Sequence, residues 1–200
     1  MKVFAPPCVV AALALQMSPQ AFAADPATAG TGTASVQADA YGTTVATWTS
    51  YQDVADWLRS HFKFDHGRLN LILQRTRQNG PSGLLARSAG ATFQTKSGYC
   101  TDSAAFAIQS LNQINPGYNA RYIFIKNRFG QPHHWVAGFM VDGKITVLDY
   151  GASAEWAGMN GVHGPYDSLE QYAQYIGGLR IAKFSPESVE WRNVFPGQQD

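Results

Sequence analysis

One cysteine, two adjacent histidines and one aspartate in this chain hold the parts of a nucleophilic site. Cys100 follows a glycine turn, in the run Gln94-Thr95-Lys96-Ser97-Gly98-Tyr99-Cys100-Thr101-Asp102, and precedes an apolar-periodic stretch. That arrangement predicts a sulfur at the N-terminus of a helix, where unpaired backbone N–H groups favour the thiolate. A thiol that attacks acyl groups needs a base, a group to orient the base, and donors for the oxyanion. His133 and His134 are the candidate bases, and Asp149 is the candidate orienter. Gln94, six residues before the cysteine, is the candidate side-chain oxyanion donor, beside the backbone N–H of Cys100. Asp102 is expected to favour the helix start electrostatically rather than to react.

Strand parity separates the two histidines. Asp142-Gly143 is the strongest short hairpin signal in the sequence. A two-residue turn there sets Val141 opposite Lys144, and Asp149 then falls opposite Val136. Side chains alternate faces with period two, so Val136 shares its face with His134 and not with His133. Asp149 then reaches an imidazole at 134 diagonally across the ladder. A bulge near Pro132 would reverse the choice in favour of His133.

The elements that must carry these residues are legible along the chain. Residues 1–23 open with Lys2, continue as a short apolar run, and close on Ala21-Phe22-Ala23. This is the pattern of a secretory signal peptide, and it predicts export to the periplasm or the exterior. The run is short for a membrane span and is broken by Pro6-Pro7, so no membrane span is expected. The chain has two cysteines, and Cys8 leaves with the signal, so Cys100 becomes a lone thiol in an exported protein. The formal net charge is +1, and loss of Lys2 brings it to about 0. A neutral chain gives no electrostatic case for nucleic acid or an anionic membrane as partner.

Residues 24–47, rich in Ala, Thr, Gly and Ser, are expected to form a flexible leader, and the catalytic domain is expected over 48–200. Ser50 with Asp53 caps a helix carrying Val54, Trp57, Leu58 and Phe62. A second helix is expected over Gly67–Gln78, and mostly loop over residues 80–99. The helix that starts at Cys100 should end at Asn115-Pro116-Gly117. Strands are expected over Ala120–Lys126, Pro132–Val141 and Lys144–Tyr150, then a glycine-rich loop over Gly151–Pro165. Asp167-Ser168-Leu169-Glu170 opens a further helix to Ile176, and a last strand is expected over Leu179–Phe184. Helices followed by an antiparallel sheet define an α+β class, with the nucleophile helix packed on that sheet.

The ordered set Gly98-x-Cys100-x-Asp102-x-Ala104, Leu111, Gly117, Ala120-Arg121, a histidine on a strand, then Asp142-Gly143-Lys144 and Leu148-Asp149 resembles the transglutaminase-like superfamily of papain-fold thiol enzymes. The resemblance covers about Gln94 to Gly151. It implies a papain-like core and a Cys-His-Asp triad at Cys100, His134 and Asp149. The family often carries His-x-Trp, and Trp135 in that pattern selects His133 instead. Gln94 is similar in position to the oxyanion glutamine of papain-like peptidases. The implied activity is cysteine-dependent amide hydrolysis on a protein or peptide substrate, without metal or organic cofactor. Transamidation through the same acyl-enzyme is the alternative, and a non-catalytic peptide- or glycan-binding module is a third.

Overall fold

The computed structural model describes residues 40–200. The expected signal peptide and most of the expected leader lie outside the described residues. The packed part reaches further toward the N-terminus than Trp48. Residues 40–45 are helical, Tyr41 and Val45 are buried, and the Tyr41 hydroxyl is 3.0 Å from Ser110 Oγ. Two large side chains among small ones were enough to anchor that stretch.

Helix α1 spans Tyr51–His61, and the Asp53 carboxylate accepts from the N–H groups of Thr49 and Ser50 at its start. Helix α2 spans His66–Asn79, with Asp65 as its cap. Residues 80–99 were expected to be mostly loop, yet they hold a 3-10 turn at Gly80–Gly83, strand β2 at Leu85–Ala86, helix α3 at Ala89–Thr95 and strand β3 at Ser97–Gly98. Strand β1, at Lys63–Phe64, pairs with β3, and β2 pairs with a strand over a hundred residues away. Such pairs are two residues long and depend on distant backbone, so local sequence pattern carries no sign of them. Helix α3 is seven residues built mostly of small and polar types, too short for helical periodicity to register.

Helix α4 spans Cys100–Ile114. Strands β4 (Arg121–Asn127), β5 (His134–Val141) and β6 (Lys144–Asp149) follow, then β7 (Gly161–Tyr166), α5 (Leu169–Gly178), β8 (Pro186–Arg192) and β9 (Gln198–Gln199). The main sheet has five strands in the order β7-β6-β5-β4-β8, and every pairing in it is antiparallel. The molecule is thus an α+β fold with helices on both faces of that sheet.

Each face has its own core. On one, Phe106 and Leu111 of α4 meet Trp57 and Leu58 of α1 and Ala137, Phe139 and Leu148 of the sheet. Phe106 is fully buried and stacks on Trp57 at 4.4 Å, and burial of one such side chain stabilises by about 1.5–3 kcal/mol. On the other face, Ile123, Val136 and Val147 pack against Tyr172 and Ile176 of α5.

Two further expectations changed. The stretch Gly151–Pro165 is not all loop: it contains a 3-10 segment at Ala154–Met159 and the edge strand β7, whose Gly and Pro residues conceal its pairing. The stretch Leu179–Phe184 is not a strand. Arg180 and Lys183 have positive φ there, and Phe184 drops into the second core from a turn. The strand begins later, at Pro186.

Candidate active site

Three element ends meet at one place. Cys100 is the first residue of α4, His134 the first of β5, and Asp149 the last of β6. The β5–β6 hairpin sets this geometry. Its turn, Asp142-Gly143, has φ of 50° and 75°, the paired positive values of a type I′ turn, which matches the twist of the strands. Val141 opposes Lys144, and the register continues without a bulge to Ala137 opposite Leu148. His134 and Asp149 therefore project from the same face at the open end of the hairpin.

His134 Nε2 donates to Asp149 Oδ2 at 2.7 Å. The other carboxylate oxygen, Oδ1, accepts from the backbone N–H of Gly151 at 3.3 Å. With Nε2 engaged, Nδ1 is the imidazole nitrogen that remains for the sulfur of Cys100. Burial works against a charge on His134, but the Asp149 carboxylate, which accepts its hydrogen bond, outweighs it, and Cys100 adds to the effect. The imidazole pKa is raised from 6.5 to about 10. The ring is held edge-on to Trp156 and Phe184.

Backbone without side chains brings Cys100 close. A Cβ placed on Gly151 would lie 2.4 Å from the Cys100 Cα, so only glycine lets the strand exit pass over the helix start. Gly98 has the same role beneath: a Cβ there would meet Asp102 Cβ at 2.6 Å. Asp102 is fully buried and serves as an anchor. It accepts from Tyr99 N at 2.7 Å, from Arg87 N at 2.6 Å, and from Arg68 Nε and Nη2 at 3.1 and 2.9 Å. Arg68 in turn forks onto Asp200 at 2.7 and 2.6 Å. Burial disfavours the Arg68 charge, and its hydrogen bonds to Asp200 and Asp102 more than offset this, so its pKa goes up. Sequence reasoning missed Arg68 and Asp200, since neither stands near Asp102 in the chain.

Tyr99 is the other residue that sequence reasoning passed over, although its place beside the cysteine was a signal. Its hydroxyl donates to the His133 carbonyl at 3.2 Å. Burial raises its pKa first, and the adjacent Cys100 raises it further.

The alternative base and the oxyanion candidate lie apart. His133 points to the opposite side from His134. It packs against Phe124 at 5.5 Å and accepts from Asn127 N at 3.2 Å. Gln94 is exposed on α3 and is absent from the walls of the cleft that His134 lines. The short helix α3 carries it outward, a turn that the loop expectation did not contain. Two further histidines have structural partners: His61 stacks on Trp57, and His163 Nε2 is bonded to the Met159 carbonyl.

The cleft measures about 660 Å³ and is walled by His134, Gly151, Tyr99, Trp156, Phe64 and Phe129, among others. Cys100 itself is 0% exposed. The residue lies beneath Gly151, in a buried cluster with Tyr99 and Trp135.

The fold and site together define an α+β domain in which a helix-start cysteine is set beside a buried histidine–aspartate pair. No family model matches this chain, and no curated protein matches it. Nine chains of solved structures are similar. One is a crystal structure of a TGase, with a TM-score of 0.42 and 15% identity over 68% of this chain. The match covers 39% of that protein, so the chain spans about two-fifths of its length.

Proposed function

We propose that this chain is an exported cysteine-dependent amide hydrolase that acts on a protein or peptide through Cys100, His134 and Asp149. The observation that carries the proposal is the 2.7 Å bond between His134 Nε2 and Asp149 Oδ2 at the start of the Cys100 helix. A histidine whose protonated form is favoured beside a thiol supports a thiolate–imidazolium pair, the reactive form of a cysteine nucleophile.

In this reading His134 Nδ1 takes the proton of the Cys100 thiol. The sulfur attacks the amide carbonyl carbon, a C–S bond forms, and the carbonyl oxygen takes the negative charge. The backbone N–H of Cys100, at the first helical position, has no intrahelical acceptor and is free to meet that oxygen. The imidazolium protonates the leaving amine as the C–N bond breaks. Water, deprotonated by His134, then attacks the thioester and restores the thiol. Asp149 keeps the ring oriented throughout and opposes the desolvation of its charge.

Cys100 is closed to solvent, so the cleft wall must move as substrate enters. The test is covalent trapping followed by turnover. Purified protein is offered a peptide thioester and then either water alone or a fluorescent amine, and Cys100 acylation is followed by intact mass. Acylation of the native protein but not of Cys100→Ala supports the proposal. Release into water identifies hydrolysis, and transfer to the amine identifies transamidation. A Cys100 that is acylated only after denaturation refutes both.

A further inference from the structure

Tyr99 lines two cavities. One is the cleft with His134 and Gly151; the other is a separate cavity of about 420 Å³, and Gln131 is the second wall they share. This second volume falls within the range of about 300–1,000 Å³ typical of ligand pockets. Its walls are mainly apolar: Ile72 and Leu73 of α2, Leu84, Phe124 of β4, Trp135 of β5, and Val194.

Basic residues stand at the same cavity, but none offers an unpaired charge to an anion. Lys126 is bonded to Glu187 at 2.8 Å and Arg192 to Glu190 at 2.6 Å. His133 is kept neutral, because burial and then Lys126 push its pKa down against the weaker pull of Glu187. The chemistry of the cavity therefore favours an uncharged, apolar occupant.

Five large apolar side chains are exposed among the described residues, and two of them stand at these cavities: Phe129, 65% exposed, at the cleft, and Val194, 77% exposed, at the second cavity. These two extend the apolar lining of the two adjoining cavities to the surface.

We propose that the cavity on the far side of Tyr99 is a specificity subsite. It takes one large apolar side chain, aromatic or branched aliphatic, of the same peptide whose amide lies against Cys100. The proposal deepens the hydrolase reading and rests on it. An extended chain that crosses Tyr99 and Gln131 reaches both cavities at once, so the enzyme selects peptides by a bulky apolar residue near the attacked bond.

The experiment measures binding separately from chemistry. Fluorescein-labelled eight-residue Ala/Gly peptides, each with one Phe moved along the sequence, are titrated against the full chain carrying Cys100→Ala, with an all-Ala/Gly peptide as control. At one position Phe tightens binding by about 10- to 100-fold, the gain from burying one such side chain. Val194→Arg and Leu73→Glu each bring that preference below about threefold; Val194 is a surface residue, so its variant keeps the fold. The proposal is overturned if no position of Phe tightens binding by more than about threefold, or if the preference survives both substitutions. The wild-type chain is then assayed for cleavage of the best peptide. A binding preference without cleavage or acylation sinks the hydrolase reading and leaves the subsite standing. Cleavage without a preference sinks the subsite alone.

Discussion

Asp149→Asn keeps the shape of the side chain and removes its charge. The energy at stake follows from the 2.7 Å contact with His134. Two unit charges about 4 Å apart, at an effective dielectric near 20, interact by about 4 kcal/mol, which is close to three pKa units. The rise of the imidazole from 6.5 to about 10 is of the same order, with Cys100 adding to the pull of Asp149. In the Asn variant the His134 pKa should fall by at least about three units, since burial then acts with less opposition. Carbon-13 NMR of labelled imidazole carbons reads this directly, with His134→Gln to assign the resonance among the five histidines.

Stability supplies an independent check with a definite sign. A histidine whose folded pKa is raised contributes its full stabilisation below about pH 6.5 and loses it as the pH climbs through about 10. The wild-type unfolding free energy in urea should therefore decline by about 3 kcal/mol between pH 7 and 9.5 relative to Asp149→Asn, at roughly 1.4 kcal/mol per pH unit. A wild-type His134 that titrates within about one unit of 6.5, or titration curves that coincide in the two proteins, would refute the ion-pair reasoning.

His134→Gln should lower kcat/KM by about 10²–10⁴-fold, while His133→Gln, on the other face, stays within about tenfold; equal losses would sink the face assignment. Asp102→Ala strips the acceptor from Arg68, Arg87 N and Tyr99 N and should cost about 3–5 kcal/mol in urea unfolding. A loss under about 1 kcal/mol would show the anchor to be idle. Gly151→Ala forces a methyl to within 2.4 Å of the Cys100 Cα and should cost about 1–3 kcal/mol; unchanged stability would disprove the close approach.

How much of this was legible depended on the range of each interaction. The β5–β6 hairpin was readable because Asp142-Gly143 fixes a turn, the turn fixes a register, and the register fixes which faces residues share. The start of α4 at Cys100 was readable from the glycine turn and the apolar period behind it. Gln94 shows the limit of such reasoning. Closeness in sequence suggested closeness to the sulfur, but the short helix α3 turns its side chain outward, and no apolar period reveals that helix. The Leu179–Phe184 stretch shows the converse: apolar residues of strand-like character fill a core from a turn when the sheet has no place for them.

By itself the sequence determined the class of the fold, the hairpin with its parity, and the helix that presents Cys100. These follow from local periodicity and turn chemistry, which act over a few residues. The tertiary structure alone decided that Arg68, 34 residues from Asp102 and 132 from Asp200, ties both carboxylates under the helix start. It also decided that Gly151 passes over Cys100, that Tyr99 divides two cavities, and that the sulfur is closed to solvent. Contacts of that kind depend on how elements far apart in the chain come to pack, and residue type carries no record of distance in space.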